Sequence, residues 1–217
     1  MKKLMLLALV VAFVATSAFA GVVGTKHDLS STLAGASTQV CVFCHTPHGS
    51  NVDTVLIDHA PLWNQDLSAT ASFDVYTSDT FDATDIAAIA LATYSDSLLC
   101  MSCHDGTVAP GTFYNAPNLA IGEDNSTAIA ITGSGSLGTD LSSEHPVNFT
   151  YASSVTNGDL GLVAEAGIVA YLDTGKVNGK VQCSSCHDPH DDSVDADVDF
   201  MRVSLANSLL CTTCHVK

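Results

Sequence analysis

The sequence predicts an irregular fold of short helices and long loops with little strand, closed around a core that its own side chains are too few to build. Three observations lead there. All eight cysteines fall in four Cys-x-x-Cys-His runs: Cys41-Val42-Phe43-Cys44-His45, Cys100-Met101-Ser102-Cys103-His104, Cys183-Ser184-Ser185-Cys186-His187 and Cys211-Thr212-Thr213-Cys214-His215. Aromatic residues are only 6% of the chain, and much of its 47% hydrophobic content is Ala, Val and Leu, so a conventional core is thin. Between the second and third runs, residues 105–146 are rich in Gly, Ser, Thr, Ala and Asn and read as a surface loop with one short strand pair near 128–132.

The four runs carry the chemistry. Two thiols one helical turn apart can add across the two vinyl groups of a single porphyrin, and the histidine that follows reaches the iron as proximal ligand. The pattern is the attachment signature of c-type heme. It predicts four covalently attached heme c groups on Cys41, Cys44 and His45; Cys100, Cys103 and His104; Cys183, Cys186 and His187; and Cys211, Cys214 and His215. A framework of four disulfides needs no histidine after each second cysteine. Zinc pairs or a thioredoxin-like redox site leave that repeated fifth residue unexplained as well. With about 50 residues of chain for each heme, porphyrin faces supply the missing apolar core, and the chain is expected not to fold without them.

The N-terminus predicts export. Met1-Lys2-Lys3 is a basic start, Leu4 to Ala15 an apolar run, and Thr16-Ser17-Ala18-Phe19-Ala20 ends in an Ala-x-Ala cleavage site, so residues 1–20 read as a removable signal peptide. The run is short for a spanning helix, no other stretch reaches membrane length, and no cysteine stands at the cleavage point to carry a lipid. The mature product, 21–217, is expected as one exported tetraheme domain. Covalent heme attachment suits an oxidising compartment, where thiols are handled before ligation.

The formal net charge is −16, and cleavage also removes Lys2 and Lys3. Such acidity argues against nucleic acid as a partner and is compatible with cationic redox partners or metal ions, although solubility alone accounts for it.

An internal duplication organises the chain. Gln39-Val40-Cys41-Val42-Phe43-Cys44-His45-Thr46-Pro47-His48 is echoed by Val181-Gln182-Cys183-Ser184-Ser185-Cys186-His187-Asp188-Pro189-His190, and Ser97-Leu98-Leu99-Cys100 by Ser208-Leu209-Leu210-Cys211. Two units result, about 21–114 and 145–217, each a Cys-x-x-Cys-His-x-Pro-His run followed by a Ser-Leu-Leu-Cys-x-x-Cys-His run.

A six-coordinate iron needs a second axial ligand, and five histidines lie outside the runs: His27, His48, His59, His145 and His190. His48 and His190 each follow a proximal histidine by three residues, with a proline between, so neither can turn back to its own neighbour's iron. Each therefore stitches two hemes together. His145 lies before Pro146 with Glu144 at hand to orient it, His27 lies near the expected mature start, and His59 is the spare. The iron ligands are then His27, His45, His48, His104, His145, His187, His190 and His215. Met101 sits inside a heme-binding loop, and Met201 is better suited to packing than to ligation. Trp63, the single tryptophan, either lies against a porphyrin, donates to a propionate or packs in the core.

The doubled arrangement, the Cys-His-Thr-Pro-His and Cys-His-Asp-Pro-His runs, Lys26-His27-Asp28-Leu29-Ser30, Ala60-Pro61-Leu62-Trp63-Asn64 and His145-Pro146 resemble the multiheme c-type cytochromes of metal-respiring bacteria, in particular the tetraheme extracellular filament, or nanowire, branch. The resemblance implies a multiheme cytochrome c fold, bis-histidine hemes stacked in a continuous chain, and one heme whose distal histidine comes from the next identical subunit. His27, on a short arm at the mature N-terminus, is the candidate for that ligation in trans, with His59 or His27 folded back in its own chain as the competing assignments.

Two smaller motifs complete the inventory. Asp195-Ala196-Asp197-Val198-Asp199 resembles the start of a calcium loop, but Phe200 and Ala206 stand where Gly and Glu belong, so an acidic surface is the better reading. Asn125-Ser126-Thr127 and Asn148-Phe149-Thr150 fit glycosylation sequons. The expectation is extracellular electron transfer, not enzymatic catalysis, through an extracellular or cell-surface filament that exchanges electrons with other redox proteins and with acceptors such as metal oxides. A monomeric periplasmic shuttle is the alternative. A multiheme reductase needs an open iron, against which the histidine supply argues.

Overall fold

The computed structural model of the chain describes residues 21–31, 37–53, 61–68, 70–90, 95–107, 113–115, 131–157, 161–168, 179–195 and 197–216. The expected leader, His59, Asn125 and most of the strand pair expected near 128–132 lie outside these residues.

Regular structure among the described residues is sparse. The helices are α1 (Ser97–His104), α2 (Tyr151–Thr156), α3 (Cys183–Cys186) and α4 (Leu209–Cys214), with 3-10 turns at Val40–Phe43, Gly133–Gly135, Glu165–Gly167 and Ala206–Ser208. The strands are two residues each: β1 (Asp74–Val75) pairs in parallel with β2 (Asp140–Leu141), and β3 (Phe149–Thr150) pairs antiparallel with β4 (Lys180–Val181).

Every Cys-x-x-Cys run occupies a helical turn, and three of the four turns stop at the histidine. His45, His187 and His215 each donate their backbone N–H to the carbonyl of the first cysteine of their run, at 2.9, 3.0 and 2.8 Å. Beyond that bond the chain is extended, with φ −111°, ψ 140° at His187 and φ −99°, ψ 129° at His215. Pro189 reinforces the stop, because a residue before proline is driven out of helical conformation.

The sequence duplication is also a structural one. Trp63 pairs with His45 as an isolated bridge and Met201 with His187, while the next amides, those of Asn64 and Arg202, donate to Cys44 O and Cys186 O at 2.9 Å each. One residue earlier, Leu62 O accepts from Thr46 N and Phe200 O from Asp188 N. Leu62 and Phe200 both lie in the left-handed region, at φ 53° and 59°. Side chains rarely tolerate that conformation, which costs on the order of 1 kcal/mol per residue, so its recurrence at matching places marks one returning-strand design used twice. The fourth run shares the outline: Leu162 bridges to His215, and Val163 N donates to Cys214 O.

The described chain has apolar clusters of its own. Phe73, Val75, Ile89, Leu98, Leu99, Met101 and Leu141 form one, around α1; Ala83, Phe149, Tyr151, Ile168 and Val181 form a second. Val42 and Phe43 form a third small cluster, against which Phe113 packs. The expectation that 105–146 is surface loop is corrected here, because Leu141 is buried within the first cluster and Phe113 covers the first Cys-x-x-Cys turn. The physical reason is local: β2 alternates an outward Asp140 with an inward Leu141, so two residues suffice to tie a polar segment to the core.

No helix among the described residues is long and apolar enough to cross a membrane.

Candidate functional site

The eight cysteines form no disulfide. Burial, then the nearby Cys103 and Cys41 thiols, pushes Cys44 up to about 12, and burial pushes Cys103 up to about 11. Burial, followed by the Cys214 and Cys183 thiols, takes Cys186 up to about 11. Thiols held protonated are poor nucleophiles, whereas Cys183 is held below the ordinary thiol range by the Cys100 thiol. The Cys100 and Cys183 thiols hydrogen-bond to one another, and this contact holds Cys100 well above the ordinary thiol range. The Cys100–Cys183 bond thus joins the second and third runs, while Cys103 acts on Cys44 and Cys214 on Cys186 through charge alone.

The junction between the second and third runs is the most heavily bonded. Gln182, 2% exposed, accepts the Ser95 and Ser97 hydroxyls on Oε1 and donates from Nε2 to Asn148 Oδ1 at 3.1 Å. Ser97 Oγ also accepts the Cys183 amide at 3.1 Å, and Ser184 Oγ donates to Asp96 Oδ2 at 2.8 Å. Gln182 further exchanges bonds with Ser185 as the cap of α3. Asn148 is 1% exposed, with Nδ2 committed to the Ala87 and Ala88 carbonyls. The asparagine of that sequon is therefore committed within the fold.

Three histidine pairs face each other across similar gaps. His45 and His190 have ring centroids 6.0 Å apart, His27 and His104 6.2 Å, and His145 and His215 6.4 Å. Two imidazole nitrogens each about 2 Å from one iron, with ring centres about 1.2 Å behind them, put centroids about 6.3 Å apart. Each pair joins one proximal histidine to one histidine from outside the runs. Among the described residues no three or more His, Cys, Asp or Glu are grouped so as to hold a metal ion by themselves.

The second ring nitrogens are engaged in a way that frees Nε2 for metal. His45 Nδ1 bonds Pro61 O at 2.6 Å, His104 Nδ1 bonds Gly135 O at 2.7 Å, and His145 Nδ1 bonds Pro146 O at 3.0 Å. The His27 ring bonds the Pro189 carbonyl and the His187 ring the Asp199 carbonyl. Carbonyl acceptors at Nδ1 fix tautomer and ring orientation, as they do behind metal-bound histidines. Thiol pairs, opposed imidazoles and fixed tautomers together fit heme c. The ring of His145 is held by Pro146 O, not by Glu144 as the sequence suggested.

His27 requires the main correction. It is not on a free arm: its ring stacks on Phe200 at 4.1 Å, Lys26 pairs with Asp199, and the backbone of Gly21 lies against the His190 carbonyl. A turn stapled by Asp28, which accepts Gly24 N and Ser30 N, shapes the segment. Its ring lies 6.2 Å from that of His104 in the same chain, the folded-back arrangement that competes with ligation in trans. Among the described residues no imidazole stands opposite His187 in this manner, and His48 is exposed. Burial, then the charges of His104 and Arg202, holds the His187 imidazole below the ordinary histidine range.

Met201 is buried, bridged to His187 through its backbone, and Met101 is fully buried in the first cluster. The Trp63 ring meets His45 edge-on at 6.3 Å and packs on the first cluster, and its indole N–H is buried without a partner. The calcium-like loop spends its first carboxylate on itself: Asp195 accepts Asp197 N, Val198 N, Leu205 N and Ser204 Oγ. Asp199 is taken by Lys26.

The sequence missed the residues that close the sites from behind, Pro61, Gly135, Pro189 and Asp199, since a carbonyl acceptor leaves no trace in residue identity. The duplication could have pointed to Leu62 and Phe200, but only if aligned beyond the heme runs. No protein-family model and no curated protein matches the chain.

Proposed function

We propose that the chain is an exported tetraheme electron carrier whose hemes lie in a row in chain order and which polymerises head to tail into an extracellular conducting filament. The observation that carries this reading is the trio of histidine pairs spaced for one iron each. Heme supplies a reversible one-electron couple when bound. The chain would attach it through Cys41, Cys44, Cys100, Cys103, Cys183, Cys186, Cys211 and Cys214, and the three histidine pairs would hold both ligands of three irons, with His187 offering one to the fourth. The Cys100–Cys183 contact favours a short step between the second and third hemes.

The duplication indicates how subunits join. His190, in the second unit, reaches back to His45, in the first. His48 is the counterpart of His190, so the same step repeated takes His48 of one subunit back to the His187 heme of the subunit before it. His48 is exposed, and a neighbour's His48 would supply His187 with the opposed imidazole that none of the described residues provides. A heterologous contact of this kind propagates without closing, which is the condition for a fibre. Filament and acceptor, including metal oxides, belong to this reading and not to the geometry of one chain.

The test is the secreted protein with its cofactors. Pyridine hemochrome should count four hemes per chain, the oxidised spectrum should be low-spin without a sulfur-to-iron charge-transfer band, and electron microscopy should show filaments. Fewer hemes, or a mature protein that stays monomeric at all concentrations, would overturn the respective part.

A further inference from the structure

Arg202 is the single arginine of a chain with formal charge −16, and it closes on one heme run alone. Its backbone N–H donates to Cys186 O at 2.9 Å, Nε donates to Ser184 O at 2.7 Å, and Nη1 donates to Asp188 Oδ2 at 3.0 Å. The side chains of Arg202 and Asp188 are 22% and 28% exposed, so water screens this charge only in part.

The duplication separates what Arg202 does as a strut from what it does as a charge. At the matching place in the first unit stands Asn64, whose backbone N–H donates to Cys44 O at 2.9 Å and whose Nδ2 donates to Val42 O at 2.8 Å. Val42 and Ser184 are the same position of the two runs. A neutral amide therefore performs the same stapling of the heme loop. At the fourth run the place is held by Val163, which makes the backbone bond to Cys214 O and has no side-chain donor. The positive charge at the third run exceeds what the backbone needs.

Resting on the electron-carrier reading above, we infer that Arg202 is a positioning residue that raises the reduction potential of the heme on Cys183, Cys186 and His187 relative to that heme without it. Reduction adds one electron to the iron, and a nearby fixed cation favours the reduced form while a fixed anion favours the oxidised one. Asp188 follows the proximal histidine directly, and Arg202 offsets its charge. Removing Arg202 deletes a cation and leaves the carboxylate that follows the proximal histidine uncompensated, so both effects would point the same way. In the proposed filament this is the heme at the subunit junction, and its raised potential holds an electron where it must next cross between chains.

The experiment is spectroelectrochemical titration of the secreted holoprotein. Arg202→Asn, which copies Asn64, should lower one of the four midpoint potentials and leave three in place, with all hemes low-spin. Arg202→Lys should keep the parent value more nearly, and Asp188→Asn should move one potential upward. Opposite shifts from Arg202→Asn and Asp188→Asn are what a charge effect requires; shifts of the same sign, a displacement of all four potentials, or no change would overturn the inference. If Arg202→Asn does not accumulate, Asp188→Asn decides, with a single upward shift in support and an unmoved titration against. A parent protein lacking four hemes would instead fail the electron-carrier reading itself.

Discussion

The imidazoles of His45 and His190 face one another across 6.0 Å with their planes 22° apart, although the two residues belong to different halves of the chain. If one iron lies between them, His190→Ala should convert a single heme to high spin and leave the other three low-spin. The oxidised absorption and electron paramagnetic resonance spectra measure this. A variant with four low-spin hemes would show that another residue ligates the first heme.

The pairing of His27 with His104, and the open positions of His48 and His187, separate assembly from ligation within the chain. His27→Ala should yield one high-spin heme in filaments that still form. His48→Ala should yield one high-spin heme in subunits that do not assemble. Negative-stain microscopy with sedimentation distinguishes the two, and the reverse assignment would return His27 to the junction.

Replacing Cys183 and Cys186 together by alanine should abolish accumulation of the whole protein, not only one heme. Their helix is bonded to α1 through Ser97 and Gln182, and the heme they are expected to hold fills space that the small apolar clusters cannot. Immunoblotting of the secreted fraction checks this, and stable export of a three-heme protein with unchanged spectra would count against it.

Gln182→Leu should destabilise the protein by about 3 kcal/mol, because it strands the Ser95 and Ser97 hydroxyls and one bond of Asn148 in a buried place. The shift of the urea midpoint measures the loss. A change below about 0.5 kcal/mol would mean that the stranded groups find new partners.

The Asp197 amide, then the Leu205 amide and the Ser204 hydroxyl, hold the Asp195 carboxyl down at about 2. A carboxylate whose folded value lies below its unfolded one contributes stability above pH of about 4, and that contribution is lost as pH falls from about 4 through about 2. Proteolysis of 191–206 should therefore accelerate over that window, and Asp195→Asn should remove the pH dependence.

The heme expectation rests on residue type and spacing, since covalent attachment asks for Cys41, Cys44 and His45 in that order and the pattern returns at 100, 183 and 211. The short helices and scarce strand of the described residues agree with a sequence that carries little periodicity for long elements. The duplication, too, is carried by identity, down to the prolines before His48 and His190. What residue identity could not carry is distance between remote parts of the chain. His190 meets His45 across the two halves, and His27 comes to His104 where the N-terminal segment packs against Phe200 and Pro189. The burial of Asn148 and the self-stapling of Asp195 were hidden likewise, because a sequon or an acidic run reads the same whether its side chains face solvent or neighbouring amides. Local chemistry determined which atoms can bind; only tertiary packing, which brings backbone carbonyls and second imidazoles to a common point, decided which of them face each other.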